Sequence, residues 1–170
     1  PESVMWAMKP RIGKPLPVGN EGSGIVAEAG ENAKHLVGKV VSAVGGGMYA
    51  QYRVLPAMAC IEMPDDIEPK DCASSFVNPL TALGMVETMK SEGHSALIHT
   101  AAASNLGQML VKICLADNIP LINIVRKPEQ VDLLKSLGAE YVCNSSDDNF
   151  KDSLVEAIKA TNATLAFDAT

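Results

Sequence analysis

Eight residues in the second half of the chain, Thr100-Ala101-Ala102-Ala103-Ser104-Asn105-Leu106-Gly107, have the types and spacing that binding a diphosphate requires. Small side chains let backbone amides come close to an anion. A helix starting at that point adds unpaired N–H groups and the positive end of its dipole. Ala102, Ser104 and Gly107 stand at the three glycine positions of a G-x-G-x-x-G pattern, and only the last is glycine. By motif alone the stretch also fits an ordinary tight turn between a strand and a helix. A second feature lies 24 residues after Ala102, where Arg126-Lys127 close an apolar run. A site for an unphosphorylated dinucleotide usually has Asp or Glu there, to accept from the ribose 2′-OH. Two cations instead suit a 2′-phosphate and favour NADPH over NADH. The alternative is a solvated basic pair at a helix start.

Other polar groups offer less. Asn20 and Tyr49 could stabilise charge on a substrate oxygen, but a turn role for Asn20 and core packing for Tyr49 are the simpler expectations. His99 falls within a strand and is expected to be a satisfied interior imidazole; His94 follows Gly93 in a turn, and His35 is no better a candidate. Met85, Met89 and Met109 sit at helical spacing and read as core. Gly19, Gly22 and Gly24 imitate a phosphate loop, yet a strand rather than a helix follows, so they are expected to form a tight turn. The cysteines at 60, 72, 114 and 143 show no C-x-x-C spacing and read as reduced, partly buried thiols.

The elements that must position these residues change character near residue 65. The first part reads as β-rich. Gly24–Gly30 and Gly38–Val44 are short apolar segments, Gly45-Gly46-Gly47 is a break, and Tyr49–Val54 alternates like a strand, which predicts a hairpin across the glycines. After Pro64, Cys72, Phe76, Leu80, Leu83 and Val86 fall near helical spacing, with Pro79 predicting two helices or a restart. From Ser95 strands alternate with helices: Ser95–Thr100, a helix carrying Leu106, Met109, Leu110 and Ile113, Leu121–Val125, a helix from Pro128 capped by Gly138, Glu140–Cys143, a helix with Phe150, Leu154, Ala157 and Ile158, and Thr164–Asp168. That alternation predicts a parallel sheet with helices on both faces.

Composition narrows the function class. The 170 residues are 47% hydrophobic and carry 14 basic against 20 acidic side chains, for a net charge of −6. Such a chain can bury a core and is not a disordered tail. The acidic balance argues against nucleic acid as a partner. No apolar run reaches the ~20 residues that span a bilayer. Pro1–Trp6 does not show a basic stretch followed by an apolar core and does not read as a signal peptide, so the expected location is cytoplasmic.

Three separate stretches together resemble the medium-chain dehydrogenase/reductase superfamily, above all its zinc-free quinone reductase and enoyl reductase branches. Pro17–Val26 resembles the G-[HN]-E-x-x-G turn. Val77-Asn78-Pro79-Leu80-Thr81-Ala82 resembles the helix leading into the cofactor domain. His99–Gly107, with Leu137–Val142, resembles the phosphate loop and the "LGA" entry to the third strand. The resemblance implies an α/β chain in which a partial GroES-like substrate domain, residues 1–76, precedes a partial Rossmann domain, residues 77–170, with strand order 3-2-1-4. It implies hydride transfer from NADPH to a quinone or an α,β-unsaturated carbonyl, with no metal. It places Thr81 near the nicotinamide, Ala102, Ala103, Ser104, Asn105, Leu106 and Gly107 around the pyrophosphate, and Arg126 and Lys127 on the 2′-phosphate. Where some quinone reductases put a tyrosine against the adenosine phosphate, this chain has Ser145. Zinc-dependent members have a histidine where Asn20 stands. The family suggests a homodimer for a full-length protein, and its greater length makes this chain a fragment by expectation, one that would be inactive alone. A protein that keeps the fold and binds a nucleotide without catalysis is the competing possibility. A flavodoxin-like domain is disfavoured by the β-rich beginning.

Overall fold

The structure is a computed structural model and describes residues 9–170; the Pro1–Trp6 stretch discussed above lies outside them. The chain divides into two compact units, Pro1–Val77 and Asn78–Thr170.

The first unit is built on an antiparallel sheet of three strands, β1 (Glu21–Ile25), β2 (Val40–Val44) and β3 (Cys60–Glu62), in that order, followed by a short helix, α1 (Pro69–Cys72). Strand β2 is central, and its Val41, Ser42 and Ala43 are buried. The Ser42 hydroxyl is satisfied inside: it donates to the Cys72 carbonyl at 3.4 Å and accepts from Ser75 at 2.9 Å. The Glu21 carboxylate accepts the backbone N–H groups of Phe76 and Val77 at 3.1 and 2.8 Å.

Three expectations fail in this unit. The first strand starts at Glu21, so Gly22 and Gly24 lie in the ladder, opposite Ala43 and Val41, and not in a turn. Gly19 alone keeps the turn geometry, with φ at +93°. A β-carbon on Gly22 would stand 3.2 Å from that of Met48, so the missing side chain makes room for the neighbouring loop. Tyr49–Val54 is not a strand, and the hairpin across Gly45–Gly47 does not form. Alternation makes a strand only where one face is covered and a neighbour takes up the backbone groups. Here β3 occupies the open side of β2, and Tyr49, Tyr52 and Val54 are 83%, 84% and 96% exposed. Core packing for Tyr49 is therefore overturned as well.

Helix α2 (Val77–Ser91) carries the chain into the second unit. Pro79 stands in its first turn, where no intrahelical amide is needed, so the proline starts the helix. Gly93, at φ +79°, ends it: its N–H donates to Lys90 and that of His94 to Met89, the paired bonds of a Schellman motif. The buried stripe is Ala82, Val86 and Met89. Leu80 and Leu83, which share the helical spacing, are about half exposed, because at about 100° per residue they fall away from that stripe.

The second unit then follows the predicted alternation: β4 (Leu97–His99), α3 (Asn105–Ala116), β5 (Leu121–Val125), α4 (Pro128–Ser136), β6 (Tyr141–Asn144), α5 (Phe150–Thr161) and β7 (Leu165–Phe167). The sheet is parallel, ordered β6-β5-β4-β7, which is the expected 3-2-1-4. Continuous apolar strands are what a sheet buried on both faces needs. One layer joins Leu97, Leu121 and Val125 to Leu110, Val111 and Leu134; the other joins Ala96, Ile122 and Cys143 to Ala157. Leu110→Ala should cost about 2–5 kcal/mol in denaturant unfolding. Val54→Ser, which an alternating strand would not tolerate, should stay within about 0.5 kcal/mol.

Candidate functional site

In open parallel sheets, ligands bind beyond the carboxyl ends of the strands, where neighbouring connections diverge. At that edge the second unit brings together most of the residues singled out in the sequence. The chain leaves β4 through Thr100, takes a left-handed turn at Ala101 (φ +50°), and enters α3 at Ser104. A non-glycine residue in that region costs on the order of 1 kcal/mol, and such strain gathers at functional loops. The buried Ala102 donates its N–H to the carbonyl of Ile124 at 3.2 Å, which ties the loop to β5. Ser104 is the helix N-cap and accepts the amide of Gly107 at 3.2 Å. The Gln108 side chain donates to the carbonyl of Ala103 at 3.0 Å and braces the loop from below.

Gly107 fixes how closely the first turn of α3 packs on the loop that leads into it. A β-carbon there would lie 2.1 Å from the carbonyl oxygen of Ala102 and 2.6 Å from its carbon. Both atoms are backbone and cannot step aside. Hence the third glycine position is the one this loop retains, while Ala102 and Ser104 fill the other two.

The cations stand at the end of the adjacent strand. Arg126 and Lys127 follow β5 and are exposed. The backbone N–H of Arg126 donates to Gln130 Oε1 at 3.0 Å, and its carbonyl accepts from the Ser146 hydroxyl at 2.8 Å. Lys127 is the N-cap residue before α4, with its ammonium 3.8 Å from Glu129. Ser145 follows β6, and its N–H donates to the carbonyl of Val125 at 2.8 Å, so it lies beside the exit from β5. The loop, the two cations and Ser145 thus share one edge of the sheet. Thr81 is exposed on α2 next to Ala82, which packs in the same core layer as Ala102. These residues fit a dinucleotide: a cradle that a β-carbon at Gly107 would fill, a helix N-terminus, and cations at the end of the second strand.

The sequence did not reveal one contact at the divergence of β4 and β7. Thr100 Oγ1 donates to Asp168 Oδ1 at 2.6 Å and accepts the N–H of Ala169 at 2.8 Å. Hydroxyls of Thr100 and Thr170 hold the Asp168 carboxyl below its usual range. Asp168 was visible only as the end of a strand. The rule that carboxyl ends carry function was the available signal, but the partner across the sheet required the topology. Tyr49 and Asn20 lie in the first unit, Tyr49 exposed and Asn20 in a bend whose carbonyl accepts the N–H of Gly45. His94 bonds Thr164 at 2.7 Å and is structural. Burial pushes the Cys114 thiol up to about 12 and raises that of Cys143, so neither thiol is poised for chemistry. Among the described residues no three of His, Cys, Asp and Glu come together, and no helix is long and apolar enough to cross a membrane.

His99 departs from expectation. It is fully buried, but neither ring nitrogen has a hydrogen-bond partner, and neither does the Oδ1 of Asn123, its register partner on β5. The Asn123 amide instead donates to the carbonyls of Leu121 and Tyr141. Burial lowers the His99 pKa from the ordinary 6.5.

No protein-family model matches the chain. It is 33% identical over 137 residues to the human mitochondrial enoyl-[acyl-carrier-protein] reductase, which covers 76% of this chain and 37% of that protein. A solved structure from Mesorhizobium loti, assigned as an NADPH:quinone reductase, superposes with a TM-score of 0.78 at 37% identity, covering 89% of this chain and 46% of that one. The Escherichia coli quinone oxidoreductase, solved with NADPH, shares the fold with a TM-score of 0.71 at 24% identity, covering 88% and 46%. The chain therefore spans less than half the length of each of these proteins.

Two outcomes test this geometry. Gly107→Ala should destabilise the protein by about 3 kcal/mol in denaturant unfolding, the upper end for overpacking, because the clash is with backbone. His99 is held neutral in the folded state while the unfolded chain takes up a proton below about pH 6.5, so its contribution is present above that pH and is lost as pH falls toward the lowered folded value. Urea titrations from about pH 8 to 5 should show stability falling by up to about 1.4 kcal/mol per pH unit more in the wild type than in His99→Leu.

Proposed function

We propose that this chain, which belongs to the medium-chain dehydrogenase/reductase superfamily and within it to the quinone oxidoreductase and enoyl reductase branch, is the nucleotide-binding part of an NADPH-dependent reductase of quinones or α,β-unsaturated carbonyls. One observation carries the proposal: the loop from Ala101 to Gly107, the Arg126-Lys127 pair and Ser145 lie at the carboxyl ends of three neighbouring parallel strands.

Each group has a task in that reading. The backbone of Ala102–Leu106 and the N-terminal turn of α3 hold the diphosphate, and Gly107 lets the helix come close enough to do so. Arg126 and Lys127 pair with the 2′-phosphate. Ser145 offers a hydroxyl where a tyrosine would stack. Thr81 orients the nicotinamide. NADPH supplies the hydride when bound. What the protein must add is position and the exclusion of water. The relatives named for enoyl and quinone substrates support an electron-poor carbon as the hydride acceptor, and the intact protein would act on a small molecule as a homodimer. The absence of glycine at two of the three loop positions favours one second reading, a nucleotide binder without turnover.

Titration with NADPH, followed by fluorescence, and then turnover with a quinone and an enone separates the two. Saturable binding with oxidation of NADPH supports the reductase, and saturable binding without oxidation supports the binder. No response to NADPH overturns both.

A further inference from the structure

Arg126 is held in a way that Lys127 is not. Both polar groups of its backbone are taken by side chains from different elements, the N–H by Gln130 of α4 and the carbonyl by Ser146, which follows β6. Ser146 is itself fixed. Its N–H donates to the side-chain oxygen of Asn144 at 3.1 Å, while the amide of Asn144 donates to Asp147 at 2.7 Å. Asn144 is buried and pairs in register with Val125, and the Ser145 N–H extends that pairing by one bond. A chain of hydrogen bonds therefore runs from the end of β6 to the backbone of Arg126. It sets φ and ψ there, and with them the direction in which the side chain leaves the strand.

Among the described residues no carboxylate pairs with the Arg126 guanidinium, whereas the Lys127 ammonium has Glu129 within 3.8 Å. We infer that Ser146 and Gln130 are positioning residues that aim Arg126 as the principal cation for a phosphate on the ribose 2′-oxygen, and so set the preference for NADPH over NADH without touching the cofactor. This rests on the reading of the site given under Proposed function. The physical basis is preorganisation: a long side chain that leaves a fixed backbone loses less freedom when it engages an anion, and a planar guanidinium gains two directed bonds to a phosphate only when correctly aimed. Ser146 has no sequence signature for such a role, since it lies 20 residues from the group it serves.

The test is the affinity of the purified chain for NADPH and for NADH, measured by calorimetry. Ser146→Ala and Gln130→Ala should each weaken NADPH about fivefold, the usual worth of one hydrogen bond, and leave NADH within about twofold. Ser146→Thr, which keeps the hydroxyl, should restore NADPH binding. Arg126→Ala should remove most of the preference, Lys127→Ala less of it, and Ser146→Ala added to Arg126→Ala should change nothing further. Equal weakening of both nucleotides by Ser146→Ala would mean a general structural role and would overturn the inference. An unchanged preference in Ser146→Ala and Gln130→Ala, with Arg126→Ala still abolishing it, would sink the positioning role alone and leave the site reading standing. An unchanged preference in Arg126→Ala, or no binding of either nucleotide by the wild type, would bring down the site reading and the inference with it.

Discussion

At Gly107 the first turn of α3 passes so close to the loop that leaves β4 that a single methyl group would strike the carbonyl of Ala102. The rest of the second unit is arranged around that contact. Because the helix can lie so near, its N-terminus sits at the strand's carboxyl end, and its dipole points into the space where the connections diverge. Because the loop is then short, it must turn sharply, and Ala101 takes the left-handed conformation that a glycine would adopt more cheaply. The bond from Ala102 to Ile124 and the brace from Gln108 to Ala103 hold the turn in place. Retention of one glycine out of three has a geometric reason: at Gly107 the obstacle is backbone, whereas Ala102 is accommodated in the core and Ser104 serves as the cap.

The edge so formed is polar in an orderly way. Thr100 and Asp168 clasp β4 to β7, and Ser145 and Ser146 fasten the exit of β6 to that of β5. Where the strands end, side-chain hydrogen bonds take over from the ladder and tie neighbouring loops to one another. Beneath them the core is less orderly. His99 and Asn123 lie side by side on β4 and β5, buried, with three polar atoms unsatisfied, at a cost of order 1–3 kcal/mol for each such group. They are also directly under the loop, since His99 is the last residue of β4. The strand that bears the loop is thus the one whose interior is least settled.

Much was legible in the residue order. The alternation from Ser95 onward, the start of α2 at a proline-containing turn, the glycine stop at Gly138 and the strand order all follow from local patterns and from the family resemblance. Capping, proline placement and continuous apolar strands are local in cause, and a local reading captures them. The same reading failed where a pattern needs a partner. Tyr49–Val54 alternates as well as many strands do, but among the described residues no strand pairs with it, and its Tyr49 N–H goes to the carbonyl of Val18 in a loop. Glu21–Gly24 looks like a turn, but β2 draws it into a ladder. Leu80 and Leu83 have helical spacing, but the inward side of α2 was decided by Ala82, Val86 and Met89.

By itself, the amino-acid order determined where the small-residue loop between the first strand and helix of the second unit would be, and that two cations would follow the next strand. Those features depend on chain neighbours, and neighbours are what a sequence records. Only the tertiary structure decided that Ser146 reaches back to Arg126, that Thr100 finds Asp168, and that His99 is buried without a partner. Each of these joins residues brought together by the strand order or by the approach of a helix to the sheet, and the energies involved arise only once the chain is packed.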